Sequence, residues 1–202
     1  MRAAWQSTSG IEVVAVALAL LYLVLVIRQH IACWAAAFVS SCLYVFVLFQ
    51  ARLYMESALN IFYAAMAVYG FSQWRSSARG DVATIRRWPW TWHAAGFAGI
   101  LIASVISSTW LWSHTAAAWP FVDSLVTWAS VFATFLVARK VYENWHWWLI
   151  IDSAALYLYY TRHLYATMSL FALYLVLIIV GMREWRRSMR SPATSALATQ
   201  HG

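Results

Sequence analysis

Apolar residues occupy this chain in seven runs of 17–20 positions, separated by short polar breaks. The runs are Ile11–Ile27, Ile31–Phe49, Ser57–Trp74, His93–Trp112, Pro120–Ala138, Asn144–Tyr160 and Leu164–Met182. Each is close to the roughly 20 residues with which a helix crosses about 30 Å of hydrocarbon. A strand in lipid would leave backbone N–H and C=O groups unpaired, so every run predicts a transmembrane helix. Most connections are very short. The exception, Arg75 to Thr91, carries Arg75, Arg79, Arg86 and Arg87. Beyond Met182 the chain is basic, then small and polar (SPATSALATQHG), a composition that predicts a disordered tail.

Composition agrees with an all-α integral membrane protein. Hydrophobic residues make up 63% of the 202 positions and charged residues 10%, against about a quarter charged in soluble domains. No polar segment is long enough for a second domain. The expected organisation is a single membrane domain over 1–202. It has a first triple-helix bundle at 11–74, a linker helix at 93–112, a second bundle at 120–182 and a basic tail at 183–202. The first run lacks a basic leader and continues into further spans, so it is not expected to be a cleavable signal.

The net charge of +7 points to topology and not to nucleic acid. With the N-terminus outside, the inner segments hold Arg28, Arg75, Arg79, Arg86, Arg87, Arg139, Lys140, Arg183, Arg186, Arg187 and Arg190. The outer segments hold Arg2, Arg52 and Arg162. The positive-inside rule then sets the C-terminus in the cytoplasm.

The chain repeats itself at an offset of 111 residues. Leu53-Tyr54, Leu59, Tyr63, Gly70, Trp74-Arg75 and Ser77 fall on Leu164-Tyr165, Leu170, Tyr174, Gly181, Trp185-Arg186 and Ser188; Arg28 and Trp34 fall on Arg139 and Trp145. Shared apolar composition matches Leu and Val freely, but not Tyr, Gly, Trp and Arg in one register. A shift of four spans preserves direction. The two triplets are therefore expected to be parallel repeats joined by a linker helix (3+1+3), with a substrate site near mid-depth, as in SWEET transporters.

Asn144, Trp148 and Asp152 share one face of the sixth run at i, i+4 and i+8. A carboxylate at bilayer depth is costly and by default a functional candidate. Asp152 admits two readings: it faces the solute, or it braces the residues that do. Its repeat mate is Ser41, so the acid breaks the symmetry. On the third run Asn60 and Tyr63 lie close to one face at i, i+3. Asn60 pairs with Phe171 in the repeat, and Tyr63 with Tyr174. Each of these side chains is equally at home in helix packing. Tyr159, Arg162 and Tyr165 crowd the outer mouth, where Arg162 is able to snorkel.

No HExxH, GxSxG or Walker A motif and no Cys/His metal cluster is present. No enzyme activity, cofactor or metal is therefore expected, and no chain of carboxylates crosses the membrane as a proton relay. The pattern points to passive or weakly coupled movement of a solute.

Asn144-Trp145, Trp148, Asp152, Leu158-Tyr159, Arg162, Leu164-Tyr165, Thr167, Gly181 and Trp185, with Leu59-Asn60, Tyr63, Tyr69-Gly70 and Trp74, resemble the PnuC family of vitamin transporters. Two departures stand out: Asn60 where that family has Gln, and Arg162 where it has Lys. Both keep the chemistry and change the reach. The resemblance implies a SWEET-like fold and facilitated diffusion of nicotinamide riboside across the inner membrane. It also implies metabolic trapping by a cytoplasmic riboside kinase, and a homotrimer; related members carry thiamine or riboflavin. The residues fit such a cargo. Trp148, Tyr63 and Tyr174 would attract a flat cationic pyridinium, and Asn60, Asn144 and Asp152 would bind hydroxyls and the carboxamide.

Overall fold

The structure is a computed structural model that describes the backbone of residues 10–50, 54–77, 85–114, 120–161, 163 and 165–198. It has seven helices among these: α1 (Gly10–Ile27), α2 (Ala32–Gln50), α3 (Tyr54–Ser77), α4 (Trp90–His114), α5 (Pro120–Ala138), α6 (Asn144–Thr161) and α7 (Tyr165–Ala198). Four have spans long and apolar enough to cross a membrane by composition alone: Ala32–Gln50, Trp90–Ser113, Pro120–Ala138 and Met168–Arg190. Val13–Ile27 is apolar but shorter. The other two, α3 and α6, have the length, but Asn60, Gln73 and Arg75 dilute one, and Asn144, His146 and Asp152 the other.

The tail expected to be disordered is helical as far as Ala198. The sequence from Met182 to Arg190 is rich in residues with good helix propensity and contains no glycine or proline. Trp185, fully buried, anchors this extension to the unit that carries it.

The chain divides into two compact units, one carrying α1–α3 and the other α4–α7. In the first, α2 packs against both α1 and α3. Ser40 Oγ donates to the Ala15 carbonyl of α1 at 2.9 Å, and Ser57 Oγ of α3 to the Val45 carbonyl at 3.1 Å. In the second, α4 packs on α5, α5 on α6 and α6 on α7. A stripe of His93, Gly96, Ile100 and Ser104 turns α4 toward α5, and a Cβ built on Gly96 would enter the Phe132 ring. Hydroxyls within the spans bond back one turn, as Ser104 does to Ile100 and Thr134 to Ser130. That removes the cost of an unpaired hydroxyl at depth.

The same local construction occurs in both units, 111 residues apart. Gln29 and Lys140 adopt the left-handed conformation, with φ of 54° and 51°. The amides of Gln29 and His30 bond the Val26 and Leu25 carbonyls, and those of Lys140 and Val141 bond Val137 and Leu136. These paired bonds are the Schellman closure of a helix C-terminus. Beyond each turn comes a buried tryptophan. Trp34 meets Trp74 edge-on at 5.5 Å and 90°, and Trp145 meets Trp185 at 5.4 Å and 89°. Both first rings of these pairs lie over a glycine, Gly70 or Gly181, whose lack of a side chain permits the approach.

Candidate functional site

The candidate residues on α6 are set by the turn that starts it. The α5 helix closes at Ala138, and three residues later Val141 is fully buried. Its carbonyl accepts from the Asn144 side chain, Nδ2 to O 2.6 Å. Asn144 is wholly buried, and its Oδ1 has no hydrogen-bond partner. Asp152, two turns on, is 7% exposed, and none of the described residues donates a hydrogen bond to its carboxylate. Trp148 lies between them on the helix, half-buried against the cluster of Ile100, Ala129, Ala133 and Ile151. One face of α6 thus combines a large aromatic ring with an amide oxygen and a carboxylate that no described residue pairs. Ser41, the counterpart of Asp152 in the first unit, is buried to the same extent.

Further along the second unit, Tyr159 of α6 and Tyr174 of α7 are joined through Phe171. The ring centroids are 5.1 Å from Tyr159 to Phe171 and 5.6 Å from Phe171 to Tyr174. Tyr165 is exposed, and its hydroxyl lies 3.0 Å from His163 Nδ1. Arg162 falls outside the described residues. Asn60 and Tyr63 lie one turn apart on α3 of the first unit, both half-buried, with Tyr63 tilted against Phe62 at 6.0 Å. Among the described residues no cluster of three His, Cys, Asp or Glu side chains is arranged to hold a metal.

Residues 9–187 match the family model described as nicotinamide mononucleotide transporter. The chain belongs to that family. The nicotinamide riboside transporter PnuC of Escherichia coli is 24% identical over 94% of this chain and 90% of its own length. The riboflavin/roseoflavin transporter RibM of Streptomyces davaonensis is 25% identical over 83% of this chain and 80% of its own. A crystal structure of the vitamin B3 transporter PnuC superposes with a TM-score of 0.71, covering 88% of this chain and 81% of that one at 20% identity; the two share a fold. This member of the nicotinamide mononucleotide transporter family is thus a multi-pass membrane protein whose relatives are transporters.

Three residues that the sequence does not mark as site candidates stand out in the second unit. Phe171 links the two tyrosines. Glu143, at the end of the α5–α6 turn, bonds Arg87 and the Trp88 amide. His93 is buried in α4 and accepts from Trp147 Nε1 at 3.4 Å. A signal for Glu143 was available: its mate in the repeat is Ala32, the same kind of asymmetry that marks Asp152.

Proposed function

We propose that this protein is a facilitative transporter carrying nicotinamide riboside into the cytoplasm, where phosphorylation by a riboside kinase traps the cargo. The observation that carries this is the α6 face, where beside Trp148 the buried Asn144 Oδ1 has no hydrogen-bond partner and the carboxylate of buried Asp152 receives no hydrogen bond, both among the described residues. Polar groups are costly to bury unpaired, and a cargo with hydroxyls, a carboxamide and a cationic ring would satisfy both. Trp148 supplies the face for the cation. Asn60 and Tyr63 on α3, and Tyr159, Arg162, Tyr165 and Tyr174 on or next to α6 and α7, complete the proposed set of contacts.

In this account the two triplets are parallel, SWEET-like repeats joined by α4, and they open the pathway alternately to either side. The recurring Schellman turn and Trp–Gly–Trp cluster support the repeat. The N-terminus is outside and the C-terminus inside the inner membrane, in line with the distribution of arginines, and the protein assembles as a homotrimer.

A second cargo is favoured by one observation, the 25% identity to a riboflavin/roseoflavin transporter. Thermal unfolding of the purified protein with nicotinamide riboside, riboflavin or thiamine separates the readings, because only a ligand of the folded state stabilises it. At a hundred times its dissociation constant a ligand adds about 2.7 kcal/mol. Nicotinamide riboside alone is expected to raise the midpoint. A shift with riboflavin alone replaces the assignment.

A further inference from the structure

Glu143 is the residue at which three elements of the second unit meet. Its carbonyl accepts from the Trp147 amide at 3.4 Å, the first backbone bond of this spacing in α6. Its carboxylate reaches instead to the segment ahead of α4. There Oε1 accepts from Arg87 Nε at 3.0 Å, and Oε2 from the Trp88 amide at 3.2 Å, 55 residues away in sequence. Oε2 also lies 3.9 Å from His93 Nε2. Since His93 Nδ1 accepts from Trp147, a neutral His93 carries its proton on Nε2, toward the carboxylate. The backbone closes the same junction: the Arg86 amide bonds the Lys140 carbonyl at 2.9 Å, and the Tyr142 amide bonds the Arg86 carbonyl at 2.8 Å.

The contacts are more sheltered than a surface ion pair, because the Glu143 side chain is 15% exposed although that of Arg87 is 72% exposed. A carboxylate accepting two N–H bonds in such a setting forms stronger bonds than neutral groups do. The matching position in the first unit is Ala32, which has no carboxylate with which to form them.

We propose that Glu143 is a positioning residue. Its grip on Arg87 and the Trp88 amide fixes the first turn of α6, and with it the face that carries Asn144, Trp148 and Asp152. Asn144 follows Glu143 directly and is bonded into the same turn through Val141. Trp147, whose indole is tied to His93, and Trp148 pack on one cluster with α4 and α5 residues. A slack turn would therefore shift Asn144 and Trp148 together. The consequence for cargo rests on the proposed transport function; the grip itself does not.

Amide hydrogen exchange of the full-length, ligand-free protein tests the grip, and the half-saturation of riboside uptake tests its consequence. Glu143→Ala should speed exchange across residues 139–148 roughly tenfold by opening that turn locally, with residues 28–37 of the first unit unchanged. Glu143→Gln, whose amide oxygen still accepts from Trp88, should lie in between. Half-saturation should rise roughly three- to tenfold in Glu143→Ala, an indirect loss of about 0.7–1.4 kcal/mol at tenfold per 1.4 kcal/mol, with the maximal rate retained. Arg87→Ala leaves the carboxylate in place and should give the same two changes in weaker form, which covers the case of an unfolded Glu143→Ala. Unchanged exchange at 139–148 overturns the grip. Faster exchange with unaltered half-saturation overturns the positioning role. A wild type that takes up no riboside refutes the transport function instead, and the exchange measurement still decides the grip.

Discussion

The indole of Trp145 lies so close over Gly181 that a Cβ on that glycine would enter its ring. The α6–α7 contact is built around this absence of a side chain, as the α2–α3 contact is around Gly70 and Trp34. Gly181→Ala and Gly70→Ala should each destabilise by about 1–3 kcal/mol, the usual cost of overpacking. Thermal unfolding in detergent checks this, and Gly99→Ala, where nothing lies within 4 Å of a built Cβ, should be neutral or better.

Lys140 holds a left-handed backbone at the Schellman turn ahead of α6. An L-residue pays roughly 1–2 kcal/mol for that conformation and glycine pays little. Lys140→Gly should therefore leave the unfolding midpoint unchanged or raised. Lys140→Val, which adds a β-branch to the strained position, should lower it. The same contrast is expected at Gln29, with φ of 54°.

The helices and the residues of the Trp–Gly–Trp clusters were largely legible in the sequence, whereas the recurring turn at Gln29 and Lys140 was not. Apolar runs in lipid have few alternatives to helix, and the repeat flagged Trp34, Gly70 and Trp74 with their mates before any contact was known. The grip at Glu143 was not legible in the same way. Its partners Arg87 and Trp88 lie more than fifty residues away, in a segment that reads as a basic loop. Asn144 was picked out for its face on α6, but complete burial, with Nδ2 bonded to Val141, is a tertiary fact that helical spacing does not carry. The α7 extension runs against the expected disordered tail because SPATSALA is small and polar in composition, while the helix that enters it begins at Tyr165 and is held by Trp185.

Asp152 and Asp123 provide an internal comparison of two acids. Asp152 is buried in α6, whereas Asp123 is exposed on the first turn of α5, where a negative charge suits the helix N-terminus. Asp152→Asn should reduce riboside uptake about tenfold or more, the loss expected when a charged hydrogen-bond acceptor is removed. Asp123→Asn should leave it near the wild-type value. Equal, small effects in reconstituted vesicles would remove Asp152 from the site.

Trp148 is assigned the cationic ring of the cargo. Cation–π contacts contribute about 0.5–2 kcal/mol. Trp148→Leu should therefore weaken riboside binding roughly two- to thirtyfold by calorimetry, a range that follows from tenfold per 1.4 kcal/mol. Trp148→Phe, which keeps a weaker face, should fall between. Identical affinities for the Leu and Phe variants would exclude a role for the ring's quadrupole.

The central claim is most directly tested by uptake into proteoliposomes that enclose a riboside kinase and ATP. Labelled nicotinamide riboside should accumulate inside as its phosphorylated product, well beyond protein-free vesicles containing the same kinase, and accumulation should cease when ATP is omitted. No accumulation above the protein-free vesicles would contradict the account.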